Sequence, residues 1–376
     1  MIRVIHAITG LGVGGAETML LNILANQDKA VFDTEVISLT GDGPLANRIR
    51  ELDIPVSSLG VTGASTGIGA TARMARILRA KKPDIVQSWM YHANMLAGLA
   101  VQAAGRPALV WGIRHGSLDL RGYRLDTVIC AKLAAPLSYT IPDRIVLPSE
   151  NSLQAHVKFG YDGSKMVVIP NGFDMSRYTP NSDHRQEMRR QLGIPKDAFV
   201  IGQVGRFHPD KDHNSFVEAA ALLLRSTPNA FFVLCGLDVS WDNPVLSQWI
   251  SRNDARDRYR LLGLRDDIPR VLNAFDIASS SSATEGFPNA IGEAMASGLP
   301  CVVTDVGDSS MIVRGTGVVV PPGNPMALAE GWQKLAAMGP EERMEIGRKA
   351  RRSIELRFGI QAIASKYEDL YRALLS

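Results

Sequence analysis

Cysteine is scarce in this sequence, with three residues in a chain of 376: Cys130, Cys235 and Cys301. They are odd in number, far apart and set in apolar surroundings. This pattern argues against a disulfide framework and against a zinc site built on thiolates. We therefore expect reduced, buried thiols of a cytoplasmic protein.

Long apolar runs are absent as well. No stretch of about 18 apolar residues is free of charge, and the nearest candidate, residues 95–113, is interrupted by Gln102, Arg106 and Pro107. It predicts a buried helix followed by a strand. The opening residues, MIRVIHAITG, lack the apolar core and cleavage site of a secretory signal. We expect a cytoplasmic chain without a membrane span.

An excess of either charge is also missing, since 41 Lys and Arg oppose 38 Asp and Glu, a net charge of +3. No dense basic stripe occurs, so nucleic acid is not an expected partner. A local basic group lies in one helical segment. Two interpretations stay open for it: a solvated helix face, or a face that contacts anionic lipid of the inner membrane or an anionic acceptor. Its members are Arg73, Arg76, Arg79, Lys81 and Lys82.

The composition that is present is ordinary for a globular protein, with 45% hydrophobic and 21% charged residues, and the length suits two domains. Short apolar runs alternate with amphipathic segments, the rhythm of a parallel sheet covered by helices. Predicted strands of the first half are 3–7, 34–39, 85–88, 108–112, 144–148 and 166–169. Those of the second half are 199–205, 230–235, 259–262, 277–279, 301–304 and 317–320.

The rhythm restarts after residues 171–196, where Pro and Asn residues predict a linker that contains a short helix. We therefore predict an α/β fold of two doubly wound, Rossmann-like parallel-sheet domains that face each other across a cleft. The predicted boundaries are 1–175 for the first domain and 176–355 for the second. An amphipathic C-terminal helix, 356–376, is predicted to cross back to the first domain.

Residues 281–305, SSATEGFPNAIGEAMASGLPCVVTD, carry the most informative pattern. A strand end leads into a helix that begins near Asn289, with Pro288 at the position that proline favours. The helix start offers unpaired amides and partial positive charge, which suit a diphosphate. Glu285 and Glu293 flank this start. They suit the hydroxyls of a sugar and of a ribose, although Glu293 pairing with a base and Glu285 capping the helix is the alternative.

The first half contains a second glycine-rich turn, Gly10–Gly15, which satisfies the pattern G-x-G-x-x-G of dinucleotide-binding loops. In that alternative Asp42 is the ribose acid of an NAD-dependent dehydrogenase. His115 follows the strand that ends at Gly112, so we expect it to face the cleft. Four residues after another strand either line the acceptor side or pack in the core: Trp89, Tyr91, His92 and Asn94.

Glu285 and Glu293 match the Glu-x7-Glu motif of the family 4 retaining glycosyltransferases (glycosyl transferases group 1), which have the GT-B fold. The resemblance covers nearly the whole chain and includes residues 166–174, 201–211, 261–265 and 269–276. It implies an enzyme that moves a sugar from a nucleotide-sugar, by default a UDP-sugar, to an acceptor hydroxyl. Surface polysaccharide or lipid-linked glycan synthesis is the setting that it implies.

The resemblance also implies roles for single residues. Arg206 and Lys211 hold the diphosphate, Glu293 the ribose, and Leu264 and Arg265 lie beside the base. His115 and Glu285 act at the transferring sugar. The implied donor-binding set is Gly14, Gly15, Arg206, Lys211, Leu264, Gly286, Phe287, Pro288, Asn289, Ala290 and Glu293.

The mechanism that the resemblance implies has the acceptor attack from the face that the phosphate leaves, and the phosphate oxygen takes the proton. We expect no cofactor and no metal, because cationic side chains and a helix start supply the charge. Asp210 and Asp212, which formally spell D-x-D, are interpreted as loop charges. The expected partners are the donor and a saccharide or lipid-linked acceptor. A nucleotide-sugar epimerase, the dehydrogenase and an inactive binding protein are the alternatives.

Overall fold

The computed structural model describes residues 1–12, 14–62, 67–114 and 125–376. The chain divides into two compact units. Unit 1 comprises Met1–Gly172 and Ile360–Ser376, and unit 2 comprises Phe173–Gly359. Each unit contains one parallel sheet with helices, so the predicted class of two parallel-sheet α/β domains is confirmed.

The sheet of unit 1 has seven strands in the order β3-β2-β1-β4-β5-β6-β7, and every pairing is parallel. The order reverses between β1 and β4, and such a switch point is where doubly wound sheets place ligands. The short strand β3 was not predicted because its sequence, VSS, has no apolar run. The bounds are β1 Ile2–Ile8, β2 Phe32–Ser38, β3 Val56–Ser58, β4 Ile85–Trp89, β5 Ala108–Gly112, β6 Arg144–Leu147 and β7 Met166–Val168.

Helices cover both faces of this sheet. Side chains alternate between the faces along each strand, so Val86 and Ile145 join one core cluster while Ile85 and Val146 join the other. The helices α3 to α5 pack in the first cluster, and α1, α2 and α15 pack in the second. The bounds are α1 Gly15–Ala25, α2 Pro44–Arg50, α3 Gly67–Lys81, α4 Tyr91–Gln102, α5 Leu125–Leu137, α6 Glu150–Phe159 and α15 Ile360–Leu375.

The C-terminal helix α15 is fastened to unit 1 by aromatic and polar contacts. Tyr367 is fully buried and stacks on Trp89, with 6.0 Å between ring centroids. The Arg114 guanidinium lies 4.8 Å from the centre of the Trp89 ring, donates to the Tyr367 hydroxyl and donates to Asn171 Oδ1 at 2.9 Å. Buried groups of this kind tie the chain end to the sheet.

The sheet of unit 2 has six parallel strands in the order β10-β9-β8-β11-β12-β13, with its switch point between β8 and β11. Its strands are β8 Phe199–Val204, β9 Ala230–Cys235, β10 Tyr259–Leu261, β11 Ile277–Ser280, β12 Cys301–Thr304 and β13 Gly317–Val320. Its helices are α7 Ser182–Gln191, α8 His213–Leu224, α9 Pro244–Ser251, α10 Ile268–Asn273, α11 Asn289–Ala296, α12 Ser309–Val313, α13 Pro325–Ala336 and α14 Pro340–Phe358.

The segment predicted as a linker with a short helix, 171–196, contains that helix, α7, and the boundary between the units, but most of it is an integral part of unit 2. Its buried side chains Phe173, Tyr178 and Met188 belong to the core of this unit. Arg189 in α7 pairs with Asp276 at 2.7 Å. Asn181, one of the polar residues that suggested a linker, caps the start of α7 with its side chain.

A glycine in β8 marks the tightest packing of this core. A Cβ atom at Gly202 would lie 1.9 Å from the nearest ring carbon of Phe275. We therefore expect Gly202→Ala to lower the free energy of unfolding by about 1–3 kcal/mol through overpacking. Thermal unfolding of the purified variant measures this.

Two further variants separate the clash from a general effect of replacing glycine. Gly69→Ala in α3, where a Cβ atom would meet nothing within 4 Å, should leave the melting temperature unchanged or raise it. Adding Phe275→Leu to Gly202→Ala should recover part of the loss. A double variant no more stable than Gly202→Ala would contradict this explanation.

Candidate active site

Two loops leave neighbouring strands at the switch point of unit 2. One follows β8 and the other follows β11, and the carboxyl ends of adjacent parallel strands lie at one sheet edge. The loops are bonded to each other, because Ala283 N donates to Asp210 O at 2.8 Å. The buried Ser281 hydroxyl lies 2.8 Å from Lys211 O and 3.1 Å from Gln203 Oε1. The predicted motifs of both loops therefore meet.

The centre of this meeting point is an ion pair between Lys211 and Glu285. Lys211 ends a short 3₁₀ turn, and its aliphatic chain passes 3.5 Å from the position that a Cβ atom would take at Gly205. Glu285 Oε1 also accepts a hydrogen bond from Ser282 Oγ at 2.7 Å. The cation and the carboxylate thus neutralise each other, and both side chains are mostly buried.

The two aspartates beside Lys211 are engaged in local structure. Asp212 caps α8, accepting hydrogen bonds from Ser215 N at 3.1 Å and from Ser215 Oγ at 2.5 Å. Asp210 lies 3.1 Å from Nδ1 of His208. Within the described ranges no group of three or more His, Cys, Asp or Glu residues is arranged to hold a metal ion. Asp210 therefore belongs to a turn, and Asp212 is a helix cap.

Arg206 lies one residue beyond Gly205 on the same loop. Its side chain is exposed and makes no hydrogen bond or ion pair to the described part of the chain. The backbone beneath it is held closely, since Phe207 N donates to Leu237 O at 2.8 Å. A Cβ atom at Gly236 would lie 2.1 Å from Gly205 O. The backbone of the loop is therefore fixed, while the Arg206 guanidinium is available to a ligand.

The start of α11 differs from the expected arrangement of three outward amides. Asn289 N donates to Phe287 O at 3.0 Å and Ile291 N donates to Pro288 O at 3.1 Å. Ala290 N, between them, makes no hydrogen bond to any residue that the structure describes. The helix start therefore offers one backbone donor directly, together with its partial positive charge.

The residues just before α11 are held by the segment that follows β12. A Cβ atom at Gly307, where φ is +55°, would lie 2.3 Å from Glu285 O, and Asp308 N donates to Gly286 O at 3.1 Å. Phe287 is buried and stacks on Phe173, with 6.1 Å between ring centroids. Of the predicted donor-binding residues, Phe287 therefore has its ring in the core of unit 2.

Glu293 lies one turn into α11 and is half-buried. Burial raises the pKa of its carboxyl to about 7, against the opposing effects of a hydrogen bond with Tyr178 and the charge of Arg177. A carboxyl with this pKa changes its charge near neutral pH. Neither the raised pKa nor the Tyr178 contact was foreseen, because no motif links residues 178 and 293.

The loop after β10 reaches the same sheet edge and carries Leu264. This side chain is 65% exposed, which is unusual for leucine and leaves an apolar surface available to a planar base. The next residue, Arg265, is tied to Asp267 by hydrogen bonds of 2.7 and 2.6 Å. Leu264 is therefore a better candidate for base contact than Arg265.

In unit 1 the glycine-rich turn follows β1 at its own switch point. Gly14 precedes α1, and a Cβ atom there would lie 2.5 Å from Glu17 Oε2, so the glycine admits this carboxylate beside the helix start. Gly15 is the first residue of α1 and is exposed. Asp42, the ribose acid of the dehydrogenase alternative, is paired with Arg50 at 2.5 Å. His115 lies outside the described residues.

Of the four residues offered for the acceptor side, three belong to the core. Trp89 Nε1 donates to His6 Nδ1 at 3.0 Å, Tyr91 Oη lies 2.7 Å from His156 Nε2, and Asn94 Oδ1 accepts from Ser88 Oγ at 2.7 Å. All three side chains are buried. His92 is half-buried and lies 3.9 Å from Asp126. Core packing is therefore the correct interpretation for Trp89, Tyr91 and Asn94.

Comparison with known families now decides the class. Residues 184–353 match the family model described as Glycosyl transferases group 1, and residues 13–177 match that of Glycosyltransferase Family 4. The chain belongs to the group 1 glycosyltransferases. This confirms the predicted family and enzyme class, and it leaves the epimerase and dehydrogenase alternatives without support.

Relatives and solved structures agree with this membership. The crystal structure of HepE from Anabaena with UDP and glucose matches with a TM-score of 0.86 at 24% identity, over 99% of this chain and 100% of HepE. The UDP-Gal:alpha-D-GlcNAc-diphosphoundecaprenol alpha-1,3-galactosyltransferase of Escherichia coli is 29% identical over 64% of this chain, an alignment that spans 62% of that enzyme. D-inositol 3-phosphate glycosyltransferase of Salinispora tropica is 28% identical over 86% of this chain and 73% of its own length.

Glu293 makes the stability of this glycosyltransferase depend on pH. A carboxyl whose pKa rises on folding from about 4.5 to about 7 stabilises the fold at low pH and loses that contribution as pH rises through 7. Glu293→Gln cannot ionise. We expect the variant to exceed the wild type by about 1–3 kcal/mol at pH ~8 and to match it near pH ~4, below the pKa of the unfolded state.

Denaturant unfolding without nucleotide at these two pH values measures the difference. Glu330→Gln, which changes an exposed glutamate of α13, is the control and should show no pH-dependent gain. Equal stability of Glu293→Gln and wild type at the higher pH would contradict the burial argument.

Proposed function

We propose that this glycosyltransferase is a retaining enzyme that moves a sugar from a UDP-sugar to a hydroxyl of a lipid-linked or polysaccharide acceptor. The observation that carries the proposal is the meeting of Lys211 and Glu285 at the switch point of unit 2. Glu293 lies one turn into α11, the helix that follows this loop. One cation and two carboxylates at this spacing suit the phosphate, sugar and ribose of one donor.

The diphosphate is proposed to bind between Lys211, the exposed Arg206 and the free amide of Ala290. Lys211 is already held by Glu285, so an arriving phosphate shares this cation. Charge-assisted hydrogen bonds of this kind strengthen as negative charge collects on the leaving phosphate. Two side-chain cations and a helix start compensate a leaving group of charge about −2, so we propose transfer without a divalent ion.

The sugar is proposed to contact Glu285, and the ribose Glu293. When the Lys211 ammonium turns toward phosphate, a Glu285 oxygen becomes available to the hydroxyls of the sugar, while Ser282 keeps the carboxylate in place. Glu293 accepts hydrogen bonds from a vicinal diol when it is charged. Leu264 offers an apolar surface to the base.

The proposed reaction breaks the bond between the anomeric carbon and the phosphate oxygen and forms a bond to the acceptor oxygen on the same face. The proton of the acceptor hydroxyl passes to the departing phosphate oxygen. Glu285, which is neutralised by Lys211, is suited to binding rather than to attack on the anomeric carbon. Retention then follows from the shared face of entry and departure.

The choice of donor and acceptor is supported by the relatives. HepE was crystallised with UDP and glucose, and the name of the Escherichia coli relative specifies a UDP-sugar donor and a diphosphoundecaprenol-linked acceptor. The Salinispora relative is named for inositol phosphate, so a small acceptor is the second candidate for this chain.

Replacing Lys211 tests the phosphate site. We expect Lys211→Met to weaken UDP binding about 10- to 100-fold, since it removes the cation and leaves Glu285 uncompensated beside the phosphate. Isothermal titration with UDP, GDP and ADP gives the affinities and should rank UDP first in the wild type. Glu285→Gln should abolish sugar transfer while UDP affinity changes by no more than a few-fold.

The matched control is Lys334→Met, which removes an exposed lysine of α13 in the same unit. Its UDP affinity should equal that of the wild type. Wild-type UDP affinity in Lys211→Met would refute the phosphate site. Near-normal transfer by Glu285→Gln would refute the sugar contact.

A lipid-linked acceptor places the enzyme at a membrane surface, and unit 1 has a face suited to this. Among the described residues no helix is long and apolar enough to cross a bilayer. However, α5 exposes an apolar stripe with one residue per helical turn: Leu125 (74%), Ile129 (47%) and Leu133 (53%). Contiguous exposed apolar side chains of this kind mark interaction sites.

The basic residues of α3 complete this face. The helices α3, α4 and α5 pack side by side on one face of the sheet, so their outward sides point the same way. Arg73, Arg76 and Arg79 of α3 are exposed. Cationic and apolar side chains together suit the surface of an anionic bilayer. We propose this face as the membrane contact.

Vesicle sedimentation tests the proposal. The wild type should bind vesicles of phosphatidylglycerol and not those of phosphatidylcholine, and binding should weaken with salt. The double variant Ile129→Asp/Leu133→Asp should lose binding at least about tenfold, since each aspartate costs more than 1.4 kcal/mol in an apolar contact. The control Leu356→Asp changes an exposed leucine of α14. This variant should bind vesicles as the wild type does. Binding by the double variant would refute this face.

A further inference from the structure

A short segment of unit 2, residues 173–181, runs along α11. We call it the strap. The strap lies very close to two glycines. A Cβ atom at Gly292 would lie 2.0 Å from the Phe173 ring, and a Cβ atom at Gly298 would lie 2.9 Å from Pro180 Cγ. Side chains at both positions would displace the strap. Its path along α11 therefore depends on glycine at these two places.

The strap is pinned on both sides of Tyr178. The Arg351 guanidinium donates to the carbonyls of Tyr178 and Ala296, and to Met175 O at 2.8 Å. The Asn273 amide donates to Thr179 O at 3.1 Å, and its oxygen accepts from Asn181 N at 2.7 Å. The backbone that carries Tyr178 is thus fixed to the end of α11 and to α10.

The Tyr178 side chain reaches Glu293. Tyr178 is 6% exposed and its hydroxyl hydrogen bonds with the Glu293 carboxylate. Arg177 also acts on Glu293 by its charge, and its guanidinium lies 5.6 Å from the centre of the Tyr178 ring. Asp174 acts on Tyr178 from the same strap. Among the described residues, the charges that act on the pKa of Glu293 and Tyr178 therefore come from the strap, and the Arg351 guanidinium of α14 contacts the Tyr178 backbone.

We propose that Tyr178 is a positioning residue for the nucleotide: its hydroxyl donates to one oxygen of Glu293 and leaves the other acceptor positions directed at the ribose diol of the donor. This rests on the proposed function, in which Glu293 holds the ribose. A carboxylate has about four acceptor positions. One hydrogen bond from a fixed donor sets its rotation without consuming its capacity for two ribose hydroxyls.

The hydroxyl also favours the charged carboxylate. Burial raises the pKa of Glu293 to about 7, and the hydrogen bond from Tyr178 lowers it. Removing the hydroxyl therefore raises the pKa further, so a smaller fraction of Glu293 is charged at neutral pH. A protonated carboxyl accepts fewer hydrogen bonds from a diol. Loss of the hydroxyl should weaken donor binding most at and below pH 7.

Tyr178→Phe tests this, because the ring and its packing stay in place. We expect the KM for the donor to rise about 3- to 10-fold near pH 7 with kcat changed less than about twofold. The midpoint of UDP affinity against pH should move to higher pH. The preference for UDP over 2′-deoxy-UDP should shrink, because the ribose diol is what Glu293 accepts from. A merely structural role moves neither the midpoint nor this preference.

Two comparisons make the result decisive. Tyr161→Phe removes another buried hydroxyl, which donates to Ala131 O at 2.9 Å in unit 1, and should leave the UDP midpoint unchanged. Glu293→Gln should weaken UDP binding at all pH values above about 6. Weaker binding by Glu293→Gln with a wild-type profile for Tyr178→Phe overturns the role of Tyr178 alone. Unchanged UDP binding by Glu293→Gln overturns the ribose contact and the role of Tyr178 together.

Discussion

The hydroxyl of Ser281 joins the two loops on which the site of this glycosyltransferase depends. Buried between β8 and β11, it lies within hydrogen-bond distance of Gln203 Oε1 and of the carbonyls of Lys211 and Asp212. The loop after β8 is thereby anchored to the strand that leads into α11. Because the backbone of Lys211 is fixed at this point, its ammonium is delivered to Glu285. Together with the hydrogen bond from Ala283 N to Asp210 O, this contact keeps the cation and the carboxylate on two joined loops.

The site combines groups whose charges the fold only partly compensates. Lys211 and Glu285 neutralise each other, Glu293 is held near the balance of its two charge states by burial, and Arg206 is exposed. Buried charge is costly unless it is paired, and in the proposed function a diphosphate and a ribose reduce these costs when they bind. Functional sites commonly have lower stability for this reason. We therefore expect the donor to stabilise unit 2.

Much of the fold was predictable because its strands are apolar and parallel. The bounds of β5, β9, β12 and β13 equal the predicted ones, since each is a short continuous apolar run, and β5, β9 and β12 are mostly buried. The strand β3 was missed because it is polar and lies at the sheet edge. The linker was misassigned because Pro and Asn residues mark helix starts as well as loops. Trp89 ends β4 and Tyr91 follows it, but their contacts with His6 and His156 depend on elements distant in sequence.

The sequence by itself determined the family, the two parallel sheets and the candidate set of two carboxylates and two cations, Arg206 and Lys211, because motifs and apolar periodicity are local properties of the chain. Only the tertiary structure decided how these groups act on one another. The charge state of Glu293 depends on burial by other elements, and its orientation depends on a strap pinned by Arg351 and Asn273, which are distant in sequence. Burial and hydrogen bonding across such distances follow from packing, and spacing along the chain does not encode them.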